Sequence, residues 1–105
     1  MLKLAKKICA KAHHKWAFHA VVVEKGGAII AVGYNKGYMH AEVAAMSKLW
    51  PDKRKGTKIW SIRYTPGGRL GMAKPCPRCE SYLRECGVKV VMYSTSEQEV
   101  ERMRL

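Results

Sequence analysis

The chain has 105 residues, enough for one domain around one modest core and too few for a separate regulatory domain. Apolar residues make up 48% and charged residues 27%, a balance that excludes a disordered chain. Twenty Lys and Arg against eight Asp and Glu give a net charge of +12, which favours anionic partners such as nucleic acid, nucleotides or an anionic membrane face.

The first element is a basic amphipathic helix over residues 2–14, with Leu4/Ile8 and Ala5/Cys9/Ala12 at helical spacing. It lacks the apolar stretch of a secretory signal. No run approaches the roughly 18–20 apolar residues that cross a bilayer, so no membrane segment is expected. A cytoplasmic chain follows, whose four cysteines serve as thiols or metal ligands and not as a disulfide framework. The β-branched run Ala17–Glu24, the turn Lys25-Gly26-Gly27 and the run Ala28–Tyr34 read as a β-hairpin.

A loop over residues 35–39 leads into an alanine-rich helix, His40–Trp50, ended by Pro51 and the charged stretch to Gly56. Thr57–Tyr64 alternates with period two and forms a third strand. After a loop to Pro75, a short helix spans residues 77–86 and closes on Gly87. Val88–Tyr93 is the fourth strand, and Ser96-Glu-Gln-Glu99 has the form of a capping box that opens a last helix. Helices alternating with strands after a hairpin predict an α/β, three-layer α-β-α domain, residues 1–105, with a mixed sheet of about four strands. The positive charge is uneven along these elements. Residues 1–60 hold twelve basic and three acidic groups, net +9, and residues 61–105 hold eight and five, net +3.

Two clusters carry chemistry: His40-Ala41-Glu42 and Pro75-Cys76-Pro77-Arg78-Cys79, each opening a helix after a strand and a loop. Cys76 and Cys79, three apart, lie on one side of a first helical turn, where the helix N-terminus favours the thiolate that binds zinc. His40 supplies a third ligand, and three protein ligands leave the fourth zinc position to water or hydroxide, as in a catalytic site. Zinc brings the pKa of such a water to about 7, and Glu42 stands where a carboxylate can move its proton.

His-x-Glu followed by Pro-Cys-x-x-Cys resembles the signature of zinc nucleobase deaminases. The order of elements over nearly the whole chain resembles that of the cytidine/deoxycytidylate deaminase superfamily. Gly33-Tyr34-Asn35 is similar to that family's Gly-x-Asn segment. The resemblance implies a zinc-dependent hydrolase acting on a cyclic amidine, with one zinc on His40, Cys76 and Cys79. It also implies that Glu42 shuttles protons while cytosine becomes uracil and ammonia leaves. Asn35 would orient sugar or base, and the backbone near Cys76 and Ala41 would help hold the base.

Plainer readings stand beside these. Pro-Cys-x-x-Cys alone also suits a redox pair or half of a structural zinc site, and a small basic zinc module that binds nucleic acid without catalysis keeps the same residues. Cys9 and Cys86 read as core or half-buried thiols, with Cys86 the better substitute ligand. His13, His14 and His19 read as helix-end or strand residues without catalytic work. Trp16, Trp50 and Trp60 read as core, with Trp16 open as a stacking platform in its basic segment. Lys53-Arg54-Lys55 reads as a solvated loop that is also able to contact phosphates.

Relatives usually have a fifth strand. Its absence here predicts an open edge and, with it, a homo-oligomer. Lys74, directly before Pro75, sets a cation beside the site and has no explanation. A His ligand resembles the deoxycytidylate and nucleic-acid-editing branches, so the expected substrate is cytosine in a nucleotide, a nucleoside or single-stranded DNA or RNA. Adenine in RNA is the third choice.

Overall fold

The computed structural model describes residues 1–11, 18–36 and 39–105. The end of the first expected helix and the readings of His13, His14 and Trp16 lie outside them. The elements run α1 (Leu2–Cys9), β1 (Phe18–Lys25), β2 (Ala28–Tyr34), α2 (Ala41–Met46), α3 (Pro51–Arg54), β3 (Lys58–Tyr64), β4 (Leu70–Gly71), α4 (Pro77–Cys86), β5 (Val90–Ser94) and β6 (Val100–Arg104). The sheet order is β2-β1-β3-β5-β6, with β4 paired to β3. Among the described residues the β3–β5 pair alone is parallel, bridged by the crossover through α4, and the other pairs are antiparallel.

Alternation along β1 builds the layers. Ala20 and Val22 turn to one face and pack with Ala5, Ile8 and Cys9 of α1 and with Ile62 of β3. Val21 and Val23 turn to the other and pack with Ala41, Ala45 and Met46 of α2, Leu83 of α4, and Ile59, Val91 and Tyr93 of the sheet. The mixed sheet thus lies between α1 and the α2/α4 layer, the three-layer arrangement expected.

Strand number departs from expectation: six among the described residues, not about four. Ser96–Glu99 does not open a helix. It is the turn from β5 to β6, closed by Thr95 N–H to Glu99 O at 2.9 Å, with Gln98 at φ 63°. The Gln98 side chain imitates a strand neighbour, accepting from Leu70 N–H at 2.9 Å and donating to Leu70 O at 3.0 Å. Pairing with β5 outweighs the local capping pattern because β6 satisfies a whole row of buried-edge backbone groups. The edge of β5 is therefore covered, and the sheet ends at β2 and β6.

Helix boundaries differ as well. The first helix stops at Cys9, where Lys11 N–H tightens onto Ile8 O at 3.0 Å. The helix from His40 stops at Met46, and Pro51 begins α3 instead of ending α2, because a proline fits the first helical position. Among the described residues no helix is long and apolar enough to cross a membrane.

Candidate active site

Both motif clusters sit at helix starts on the same face of the sheet. His40 is the extended N-cap of α2 and Cys76 the extended N-cap of α4, with proline at the first position of α4. Neither helix start has a side-chain cap bond. Those first turns leave backbone N–H groups without intrahelical acceptors and carry the positive end of the helix dipole. The Ala41 N–H belongs to that turn of α2, and Ala41 itself is buried.

The loop before α4 is clamped to the sheet. Ala73 N–H donates to Ser94 O at 2.9 Å, the Ser61 hydroxyl donates to Ala73 O at 2.9 Å, and the Ser94 hydroxyl donates to Gly71 O at 2.7 Å. Ser61 and Ser94 are fully buried, so these bonds are made out of water, where leaving them unmade would be costly.

The geometry brings His40, Glu42 and Cys79 together, with one potential ligand atom of each within 4.8 Å of the others. Cys79 Sγ lies 3.6 Å from His40 Nδ1. A tetrahedral zinc with a Zn–S bond of about 2.3 Å and a Zn–N bond of about 2.0–2.1 Å sets these two atoms about 3.6 Å apart. His40 and Cys79 are therefore spaced to share that ion. Cys76 is exposed and stands outside the group of three, beside Cys79. The Cys79 backbone N–H pulls the Cys76 thiol below its ordinary range, whereas burial pushes the Cys79 thiol up to about 12. Cys9 is buried and its thiol is raised to about 11 by that burial, and Cys86 is half-buried. Neither is in the group of three.

Glu42 is 2% exposed, and its Oε1 has no hydrogen-bond partner among the described residues. Burial raises its pKa above the usual carboxylate value. Facing Oε1 at 3.8 Å is Nδ1 of His19, a residue without any sequence motif. Since the Ser61 hydroxyl gives its proton to Ala73 O, Ser61 Oγ accepts from His19 Nε2–H across 2.7 Å. Nδ1 of a neutral His19 is then an acceptor turned to Glu42. The one sequence signal for this contact is the period of β1, which sets His19 on the face of Val21 and Val23.

His19 also locates Asn35. Its backbone N–H donates to Asn35 Oδ1 at 3.0 Å, and Asn35 N–H donates back to His19 O at 3.2 Å.

Desolvation lowers the His19 pKa from 6.5 to about 3, so folding keeps the ring neutral. Between these values the unfolded chain binds one more proton, and stability falls as pH falls, by at most about 1.4 kcal/mol per pH unit. Urea midpoints taken from about pH 7 to about pH 4 are expected to fall along that slope in the native chain and less steeply in His19→Leu. Equal slopes would show that His19 is not the group responsible.

No curated protein matches this chain. The crystal structure of dCMP deaminase from the cyanophage S-TIM5 in apo form superposes with a TM-score of 0.63 at 22% identity, over 90% of this chain and 79% of that one. That likeness confirms the fold. Residues 1–95 match the family model of the cytidine and deoxycytidylate deaminase zinc-binding region, and the chain, a zinc-dependent deaminase by descent, belongs to that family.

Proposed function

We propose that the chain hydrolyses the exocyclic amine of cytosine, giving uracil and ammonia, in a cytosine that carries phosphate, whether a nucleotide or single-stranded nucleic acid. The observation that carries this reading is Glu42, a nearly inaccessible carboxyl with an unpartnered Oε1 beside His40 and Cys79. A purely structural metal site has no use for a buried carboxyl held in that way.

His40, Cys76 and Cys79 would hold zinc, which when bound supplies Lewis-acid activation of water at neutral pH. Glu42 carries the protons. Its Oε1 delivers one to the ring nitrogen beside the reacting carbon and a later one to the departing amine, so water adds and ammonia leaves in balance. His19 is a positioning residue: its Nδ1 faces Oε1 at 3.8 Å, and its ring, kept neutral by burial, sets no cation there to hold Glu42 ionised. Asn35, set by His19, and the Ala41 N–H would hold the sugar and base. The net charge of +12 and the name of the matched phage enzyme both support a phosphorylated substrate.

The test is conversion by the zinc-loaded chain of cytidine, deoxycytidine, their monophosphates and a cytosine-containing single-stranded oligonucleotide. One charge-assisted bond to phosphate, about 1.5–3 kcal/mol, predicts that phosphorylated members exceed bare nucleosides in kcat/KM by about tenfold or more. Turnover of bare nucleosides alone would overturn the substrate class. Silence across the whole panel would overturn the cytosine assignment.

A further inference from the structure

Expected in the core, Trp50 is 79% exposed, the most exposed of the large apolar side chains described. An indole in water forgoes one of the largest apolar burials any side chain offers. Its backbone is nevertheless tightly held. Trp50 is the extended N-cap of α3, followed by Pro51 at the first helical position. Its carbonyl accepts from Lys53 N–H at 2.9 Å, and the Arg54 Nε–H donates to Leu49 O at 2.9 Å. A ring presented from fixed backbone loses little freedom when it engages a ligand.

The surroundings are cationic. From Ser47 to Gly56 there are Lys48, Lys53, Arg54 and Lys55 against Asp52 alone, and the only other exposed apolar residue is Pro51. Lys25 arrives from the β1–β2 turn, with Nζ 3.4 Å from Asp52 O. Lys48 donates to Val32 O, which fixes it over the end of β2. A groove of about 380 Å³ runs between Lys48, Trp50, Pro51 and Arg54.

An exposed indole in so basic a segment is a poor centre for a protein interface, where lysine is depleted. It matches the surface that holds single strands: an aromatic face for a base, with cations along the backbone. We propose that Trp50, with Lys48 and Arg54 lining its groove and the exposed Lys53 and Lys55 following in the chain, is a stacking platform for single-stranded nucleic acid, at the far end of α2 from His40. This surface stands apart from the catalytic reading and does not require it.

The test uses a fluorescein-labelled oligothymidylate of about 15 nucleotides and the full chain, read by fluorescence anisotropy at several salt concentrations. Thymine has no exocyclic amine, so binding is measured without turnover and its failure leaves the deaminase reading untouched. Trp50→Ala is expected to weaken binding about tenfold, and Trp50→Phe to retain most of it. Lys53→Ala should reduce the slope of log K against log salt by about 0.7, the value for one phosphate of a single strand. Thermal melts check that these exposed substitutions leave the fold intact. The proposal is overturned if the native chain fails to bind at low salt, or if Trp50→Ala binds as tightly as native. It is also overturned if Trp50→Ala turns an oligomer into a monomer in sedimentation without changing oligonucleotide affinity, because the face would then belong to a second copy.

Discussion

Glu42→Gln is expected to lower kcat by about a thousandfold, within the range for a positioned proton-transfer group, while zinc content and fold persist. The amide keeps the shape of the carboxyl and cannot carry its proton between water and the departing amine. Stability should not fall. Native Glu42 holds a buried acceptor without a partner, a burden of about 1–3 kcal/mol that folding already bears. Turnover, metal stoichiometry and a thermal melt on the same preparation make the result decisive, because Glu42 lies within 4.8 Å of potential ligand atoms on both His40 and Cys79. Loss of zinc together with activity would make Glu42 a ligand. Retained activity would remove it from the proton path.

Gly33→Ala is expected to cost as much activity without touching a reacting group. A methyl on Gly33 would stand 2.5 Å from Ala45 N, 2.8 Å from Ala41 O and 2.9 Å from Ala45 Cα, all backbone atoms of α2. No rotamer change relieves a clash with helix backbone, so β2 and α2 must part. Overpacking in a tight core commonly costs about 1–3 kcal/mol, and contacts this short belong at or above the upper end. Because α2 begins with His40, Ala41 and Glu42, its displacement carries a metal ligand and the proton carrier with it. The measurable result is a lowered urea midpoint together with weakened zinc binding. A variant with native midpoint and native kcat would show that this packing does not position the site.

What could be read from the sequence was what neighbours in the chain decide. His40 and Glu42, and likewise Cys76 and Cys79, share a helix start, so their spacing alone put each pair at one place. The β1–β2 hairpin was legible from its Gly-Gly turn and its β-branched runs. What escaped depends on partners far along the chain. His19 reaches Glu42 through a frame in which Val21 pairs with Ser61 and the Ser61 hydroxyl donates its hydrogen bond to Ala73 O. β6 was hidden because Ser96–Glu99 suits a helix cap and a tight turn equally, and only the free edge of β5 decides between them. The two-residue β4 has no pattern long enough to see. Trp50 was misplaced because residue type predicts average burial, and a functional surface departs from the average.

The clamp on Ala73 has a dynamic consequence. Its N–H and C=O are bonded to β5 and β3 respectively, so this segment cannot fray outward as loops normally do. Opening it requires separating it from the two central parallel strands, the part of the sheet that opens last. In hydrogen-exchange terms the approach to α4 therefore belongs with the sheet core, while the exposed turn around Gly67 exchanges faster. The cysteine-bearing helix is thus kept in register by the same event that keeps the protein folded.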